Sequence, residues 1–252
     1  LAKLGLGWSY LKLARYKEAE EVFTDLKEAD LDKKSLDILI LGRAVLMNHS
    51  NRVYEAKTLY ERLIDLSGDP LIRMQAYSGK AGALYNLAEY HQEANAYREG
   101  LDKVDNSAAP DELVEKMRYN LALAYIKGGE VSSGISIFED ILKTATDQAV
   151  NLSILFQIGD AYQEAGEFVQ AEEAYMRILK LYPNSAYADY AQYQAGSLRL
   201  RMSDYDQAVV SFKSILKNYP QSNLLADTFY SLGTAYFQKA DYAGSLEIFS
   251  KF

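Results

Sequence analysis

The segment YPNSAYADYAQYQAG runs from Tyr182 to Gly196, and 37 residues later YPQSNLLADTFYSLG runs from Tyr219 to Gly233. A chain that writes the same punctuation twice at a fixed distance is built from a repeated unit, and repetition restricts the fold more tightly than composition does. Followed toward the N-terminus, Gly196 and Gly233 belong to a column of small residues: Gly7, Gly42, Gly82, Ala122, Gly159, Gly196 and Gly233, spaced 35, 40, 40, 37, 37 and 37. A second column lies twelve residues on in most units: Ala19, Ala56, Ala94, Gly134, Ala171, Ala208 and Ser245. A third, four residues further, is aromatic: Phe23, Tyr60, Phe138, Tyr175, Phe212 and Phe249. The third unit breaks this column with Arg98, Tyr97 standing one residue early.

The chemistry of the columns is that of packed helices. A small residue on each of two neighbouring helices lets their backbones approach, and a large ring fills the space beside the contact. In QEAGEFVQAEEAY, Gln163 to Tyr175, Gly166 is placed to end one helix in a left-handed cap. Phe168, Ala171, Ala174, Tyr175 and Ile178 then recur at three- and four-residue spacing, the mark of an amphipathic helix. ISIFEDIL (Ile135–Leu142) and VVSFKSIL (Val209–Leu216) repeat it, and no window alternates as a strand does. Pro183 and Pro220 are expected to stop the second helix of a unit, and Ser185 and Ser222 to accept amide hydrogens at the start of the next.

The pattern resembles the tetratricopeptide repeat family over essentially the whole chain. In the fifth unit Ile158, Gly159, Tyr162, Gly166, Ala171, Tyr175 and Pro183 stand where that motif has Leu, Gly, Tyr, Gly, Ala, Phe and Pro. Three departures are local: two extra residues near Met47–Arg52, Arg199 where the family prefers Tyr, and a longer joint at Asp105–Glu112. The resemblance implies an all-α solenoid, a right-handed superhelix of antiparallel helix pairs in one array of about seven repeats. Their approximate bounds are 1–34, 35–73, 74–113, 114–151, 152–188, 189–225 and 226–252. The 37-residue period and the YP-x-S joint, mainly over Leu179–Gly233, are similar to repeat proteins of the bacterial envelope, in the style of the Tol–Pal system and outer-membrane assembly. A periplasmic setting is therefore expected, with the cytoplasm as the alternative.

Composition excludes several chemistries. There is no cysteine, which removes disulfides, thiol nucleophiles and thiolate metal sites. A net charge of −8 argues against nucleic-acid binding. His49 and His91 lie in different units, neither with a partner ligand at helical spacing, and read as surface residues. Glu20–Glu21 and Glu172–Glu173 are adjacent acids on one helix and read as solvated faces, since carboxylate pairs that work together face each other across a cleft. Asp105, Asp111 and Glu112 lack the ligand alternation of a calcium loop and read as a polar linker. No catalytic site, metal or cofactor is expected, and no enzyme.

Function then falls to a surface, and in the family the first helices of successive units line the groove. By register the inward residues are Tyr119, Phe156, Tyr193 and Tyr230, each 37 apart, with Lys116, Leu123, Asp160, Gln163, Tyr190, Ser197, Asp227, Thr234 and Phe237 beside them. The rings form either a binding stripe or ordinary core between first helices. Family members that clamp chaperone carboxylate tails use Lys and Asn at the positions held here by these aromatics and by Leu123, Asp160, Ser197 and Thr234, so no such clamp is expected. An apolar or amphipathic peptide or helix of another protein is the expected partner. A self-assembling array and a docking arm of a larger enzyme are the alternatives. The chain starts LAKLG and ends EIFSKF in mid-pattern, as a piece of a longer chain would, and Leu246, Ile248, Phe249 and Phe252 offer an apolar end for self-association.

Overall fold

The hairpin turns carry the regularity that the small residues only approximate. In the computed structural model, which describes residues 1–251, every turn within a helix pair spans three residues and places its middle one at positive φ: Ala14, Asn51, Ala88, Gly129, Gly166, Ser203 and Ala240. These positions are 37, 37, 41, 37, 37 and 37 apart. In each turn the amide after the left-handed residue donates to the carbonyl five residues back, as Arg15 to Tyr10 at 2.9 Å, Glu89 to Leu84 at 3.0 Å and Glu167 to Tyr162 at 2.8 Å. That is a Schellman cap, and it satisfies carbonyls the helix end leaves free.

Only Gly129 and Gly166 meet the left-handed requirement without a side-chain penalty; five of the seven turns bend through a residue with a Cβ. Changing Ala14, Ala88, Ser203 and Ala240 to Gly is therefore expected to stabilise by about 1 kcal/mol each, roughly additively because the sites are far apart. Gly166→Ala should lose a similar amount. Urea midpoints check both, and four Gly variants no more stable than the parent would refute the argument.

Among the described residues there are fourteen α-helices and no strand. The chain packs as two compact units, Leu1–Ile141 and Leu142–Phe252. The first contains α1 (Ala2–Lys12), α2 (Tyr16–Thr24), α3 (Lys33–His49), α4 (Val53–Leu66), α5 (Pro70–Asn86), α6 (Tyr90–Lys103), α7 (Asp111–Lys127) and most of α8 (Val131–Thr144). The second contains α9 (Gln148–Glu164), α10 (Phe168–Leu181), α11 (Ala188–Arg201), α12 (Tyr205–Asn218), α13 (Leu225–Gln238) and α14 (Tyr242–Phe249). Each odd-numbered helix pairs with the next, giving seven antiparallel hairpins. Their first helices begin up to four residues before the repeat bounds drawn on the sequence, because Asp32, Asp69 and Asp147 cap amides there and Pro70 opens α5.

Packing corrects the register of the second and third repeats. The first small column is Gly7, Ala44, Ala81, Ala122, Gly159, Gly196 and Gly233, in place of Gly42 and Gly82. The second is Ala19, Ala56, Glu93, Gly134, Ala171, Ala208 and Ser245, and the ring column runs unbroken through Tyr97. All three columns share one spacing, 37 throughout except 41 across the longer third-to-fourth joint, and no residues are inserted near Met47–Arg52. Gly42 and Gly79 serve a different contact. A Cβ on Gly42 would sit 2.7 Å from the Phe23 ring of the preceding hairpin, and one on Gly79 would overlap the Tyr60 ring, whereas Gly82 faces open space.

Two further expectations change. Pro183 and Pro220 do follow the ends of α10 and α12, but the joints are pairs of consecutive turns, Ser185 to Tyr182 at 3.0 Å and then Ala188 to Ser185 at 3.1 Å. Ser222 Oγ accepts the Leu224 amide at 3.1 Å and donates to Asp189 on α11. Ser185 Oγ makes no such bond; it is buried without a protein partner, because Leu152 stands 37 residues before Asp189. Nor is Glu172 on a solvated face. It is 8% exposed and accepts from Arg199 Nε, while Arg199 also holds Asp204 at 3.0 Å. The departure at Arg199 thus answers a buried carboxylate. Glu20, Glu21 and Glu173 are exposed, as are His49, stacked on Tyr16, and His91, 3.3 Å from Glu130. Phe252 lies outside the described residues; Leu246 and Phe249 are exposed.

Candidate interaction surface

Each ring of the first-helix column leans on the ring of its own hairpin's second helix. In the first unit Tyr119 meets Phe138 with centroids 5.2 Å apart. In the second unit Phe156 meets Tyr175 at 6.1 Å, Tyr193 meets Phe212 at 5.7 Å and Tyr230 meets Phe249 at 6.1 Å. Interplanar angles are 52–58°, the tilted arrangement that ring quadrupoles favour. Phe138, Tyr175 and Phe212 are fully buried, while Tyr119, Phe156 and Tyr193 are half-buried. One edge of each of these three half-buried rings seals its hairpin, and the other edge is open. Tyr230 is 62% exposed.

The neighbours divide the same way. In the second unit Tyr187 and Tyr190 flank Phe156 at 6.1 and 5.6 Å and remain exposed. The Tyr193 hydroxyl lies 3.2 Å from Ser231 Oγ. Asp160 is already engaged, accepting from the Tyr175 hydroxyl, and the Thr234 hydroxyl donates to the Tyr230 carbonyl of its own helix at 2.9 Å. Burial first, and the Asp160 bond second, hold the Tyr175 phenol far above its ordinary pKa. Gln163 and Ser197 are half-buried and Asp227 is exposed. Phe237 is exposed, edge-on to Tyr242 at 5.4 Å.

The first unit holds a cavity of about 710 Å³ on its first helices. Trp8 on α1, Leu41 and Val45 on α3, Ile72 on α5 and Leu113 on α7 supply apolar wall, with Gln75, Ser78, Asn48 and Asn120 as polar points and Lys116 at the edge. Trp8 Nε1 is buried there with no protein hydrogen-bond partner. A second cavity of about 280 Å³ shares Gly82, Tyr97 and Asn120 with it and reaches Leu123. Of the residues expected from register, Lys116 and Leu123 line these cavities. Gln75, Ser78 and Tyr97 were missed because repeats two and three were read out of phase; adding 37 to Tyr60 gives Tyr97 and would have restored them. Trp8 was missed although the first repeat was in register, because the inward positions were counted only from Tyr119 onward. Among the described residues no three His, Cys, Asp or Glu side chains converge as metal ligands, and no helix is long and apolar enough to cross a membrane.

Seven antiparallel hairpins joined by short turns place the chain in the all-α class of helical-repeat solenoid folds. Residues 2–33, 154–185 and 190–222 match models of the tetratricopeptide repeat, and the chain carries that repeat at these positions. No curated protein matches its sequence. Solved structures similar to it include the apo form of RapI, 16% identical over 99% of this chain and 74% of that one, with a TM-score of 0.67. The apo quorum sensor NprR from B. thuringiensis is 16% identical over 93% of this chain and 69% of that one, TM-score 0.57. A tetratricopeptide repeat protein from Parabacteroides merdae is 12% identical over 99% and 90%, TM-score 0.61. At these identities the likeness is one of fold. It is a fold typical of non-catalytic protein-interaction scaffolds.

Proposed function

We propose that this protein is a non-catalytic interaction scaffold whose first-helix faces bind an apolar or amphipathic segment of another protein. The observation that carries the reading is the cavity of about 710 Å³ in the first unit, apolar in its walls with a few convergent polar groups, the composition of a ligand groove. In the second unit the open edges of Phe156, Tyr190, Tyr193 and Tyr230 are the corresponding anchors, with Gln163, Ser197 and Phe237 beside them, because rings bury large area at low entropy cost. In the second unit Asp160, Ser197 and Thr234 supply no lysine or asparagine for a carboxylate clamp, whereas Lys12, Asn48, Lys116 and Asn120 do line the first-unit cavity. A bacterial envelope setting is favoured by the YP-x-S joint and the absence of cysteine; recovery of the native protein in a cytosolic fraction would end that part of the reading.

The test is selection of short random peptides on the immobilised chain, followed by affinity measurement on Ser78→Trp, which fills the first groove, and on Tyr193→Ala with Tyr230→Ala. Selected peptides should carry apolar anchors at helical spacing and lose about tenfold or more in affinity on one of the two variants. Undiminished binding to both, with thermal melts unchanged, would refute the proposal. The last hairpin supports a second reading: Tyr242, Leu246 and Phe249 are exposed together, a patch a second copy could cover. Sedimentation of the parent against Leu246→Arg separates a monomer from such an assembly.

A further inference from the structure

Glu93 stands in a column that Ala19, Ala56, Gly134, Ala171, Ala208 and Ser245 occupy in the other six hairpins. The column is small because helix backbones meet there. Its carboxyl is nonetheless buried: the residue is 4% exposed, and Oε2 has no protein hydrogen-bond partner. A buried, unpaired carboxylate destabilises a fold, so packing does not explain this residue. Burial pushes its pKa up to about 7, against the opposing pull of the Lys127 ammonium. Lys127 does not pair with it. Its Nζ donates to the Tyr85 hydroxyl at 2.9 Å and lies 4.4 Å from the Tyr85 ring centroid.

Glu93 lines the cavity of about 280 Å³, with Tyr85, Tyr97, Asn120, Leu123 and Ala124 as walls, Lys127 also in the lining but turned onto Tyr85, and Gly82 leaving one side open. That volume is just below the ~300 Å³ at which ordinary ligand pockets begin; it suits one side chain. Aromatic walls around a carboxylate favour a cation, and the net charge of −8 attracts one. We propose that this cavity is a specificity pocket for an ammonium or guanidinium group on the partner segment, with Glu93 as its counter-ion. The inference rests on the groove reading, since Gly82, Tyr97 and Asn120 belong to both cavities: a segment lying in the larger one can drop a side chain into the smaller.

The test follows the Glu93 side-chain carbon by NMR while n-butylammonium or n-butylguanidinium is added, with n-butanol and valerate as neutral and anionic controls. Both cations should shift the signal saturably and lower its titration midpoint from about 7, and the controls should not. Glu93→Ala should weaken cation binding tenfold or more while raising the melting temperature. Because the folded carboxyl holds its proton more tightly than the unfolded one, stability falls as pH climbs from the ordinary glutamate range through about 7. Tyr85, Tyr97 and Lys127 are the titratable groups facing it; the Tyr97 and Lys127 pKa values are themselves raised, so Glu93→Ala should flatten that slope. Equal binding of cation and alcohol, or retained cation affinity in Glu93→Ala, overturns the proposal. So does a Glu93 midpoint in the ordinary range that moves to near 7 only in Lys127→Met, since Lys127 would then be the occupant. Selected peptides that bind Glu93→Ala as well as the parent, yet lose affinity on Ser78→Trp, leave the groove standing and this pocket refuted.

Discussion

Tyr175→Ala is expected to cost about 3–5 kcal/mol. Tyr175 is fully buried in a cluster with Leu155, Ala171, Ile178, Ala191 and Leu198, and Phe156 packs against it. A Cβ on Gly159 would lie 2.8 Å from its ring, so the backbone of α9 comes down directly on it. Alanine would leave a cavity that two helix backbones, already in close approach, cannot collapse to fill. Tyr175→Phe separates packing from polarity. It keeps the ring and removes the hydroxyl bond to Asp160, a change worth about 1 kcal/mol because Asp160 is half-exposed and recovers water. Urea unfolding of both variants checks this; equal losses would mean that the hydroxyl, and not the ring, holds the hairpin.

Adding a methyl group at two glycines three residues apart on α5 is expected to have opposite effects. Gly79→Ala places its Cβ inside the van der Waals surface of the Tyr60 ring, which is buried and has nowhere to move. The cost of such overpacking is about 1–3 kcal/mol. Gly82→Ala meets no atom within 4 Å and removes the backbone entropy of a helical glycine, a gain of about 0.5–1 kcal/mol. Melting temperatures of the two variants decide the register directly. If Gly82→Ala were the damaging change, the second and third repeats would be packed as the glycine spacing alone implies.

That pair also marks how far the sequence could be read. The hairpin, its amphipathic second helix, the turn at Gly166 and the ring column in six of the seven repeats are local features, and each was legible from residue spacing. The candidate surface was half legible. Tyr119, Phe156, Tyr193 and Tyr230 do share one position on their helices, and each makes the same tilted ring contact. Ser78 and Glu93 escaped because glycine at positions 42 and 82 drew the register away from alanine at 44 and 81.

The physical reason is rotational. One residue along a helix turns a side chain by about 100°, so an error of one or two positions points a face at the wrong neighbour while leaving the helix itself intact. The sequence by itself determined that this chain folds as antiparallel helical hairpins on a period of 37, since helix ends and amphipathic stripes are set by bonds and contacts within a few residues. Only the tertiary structure decided which small residue each ring rests on, and that a glutamate occupies a place built for alanine. Those are contacts between helices, and spacing along one helix does not report what stands across from it.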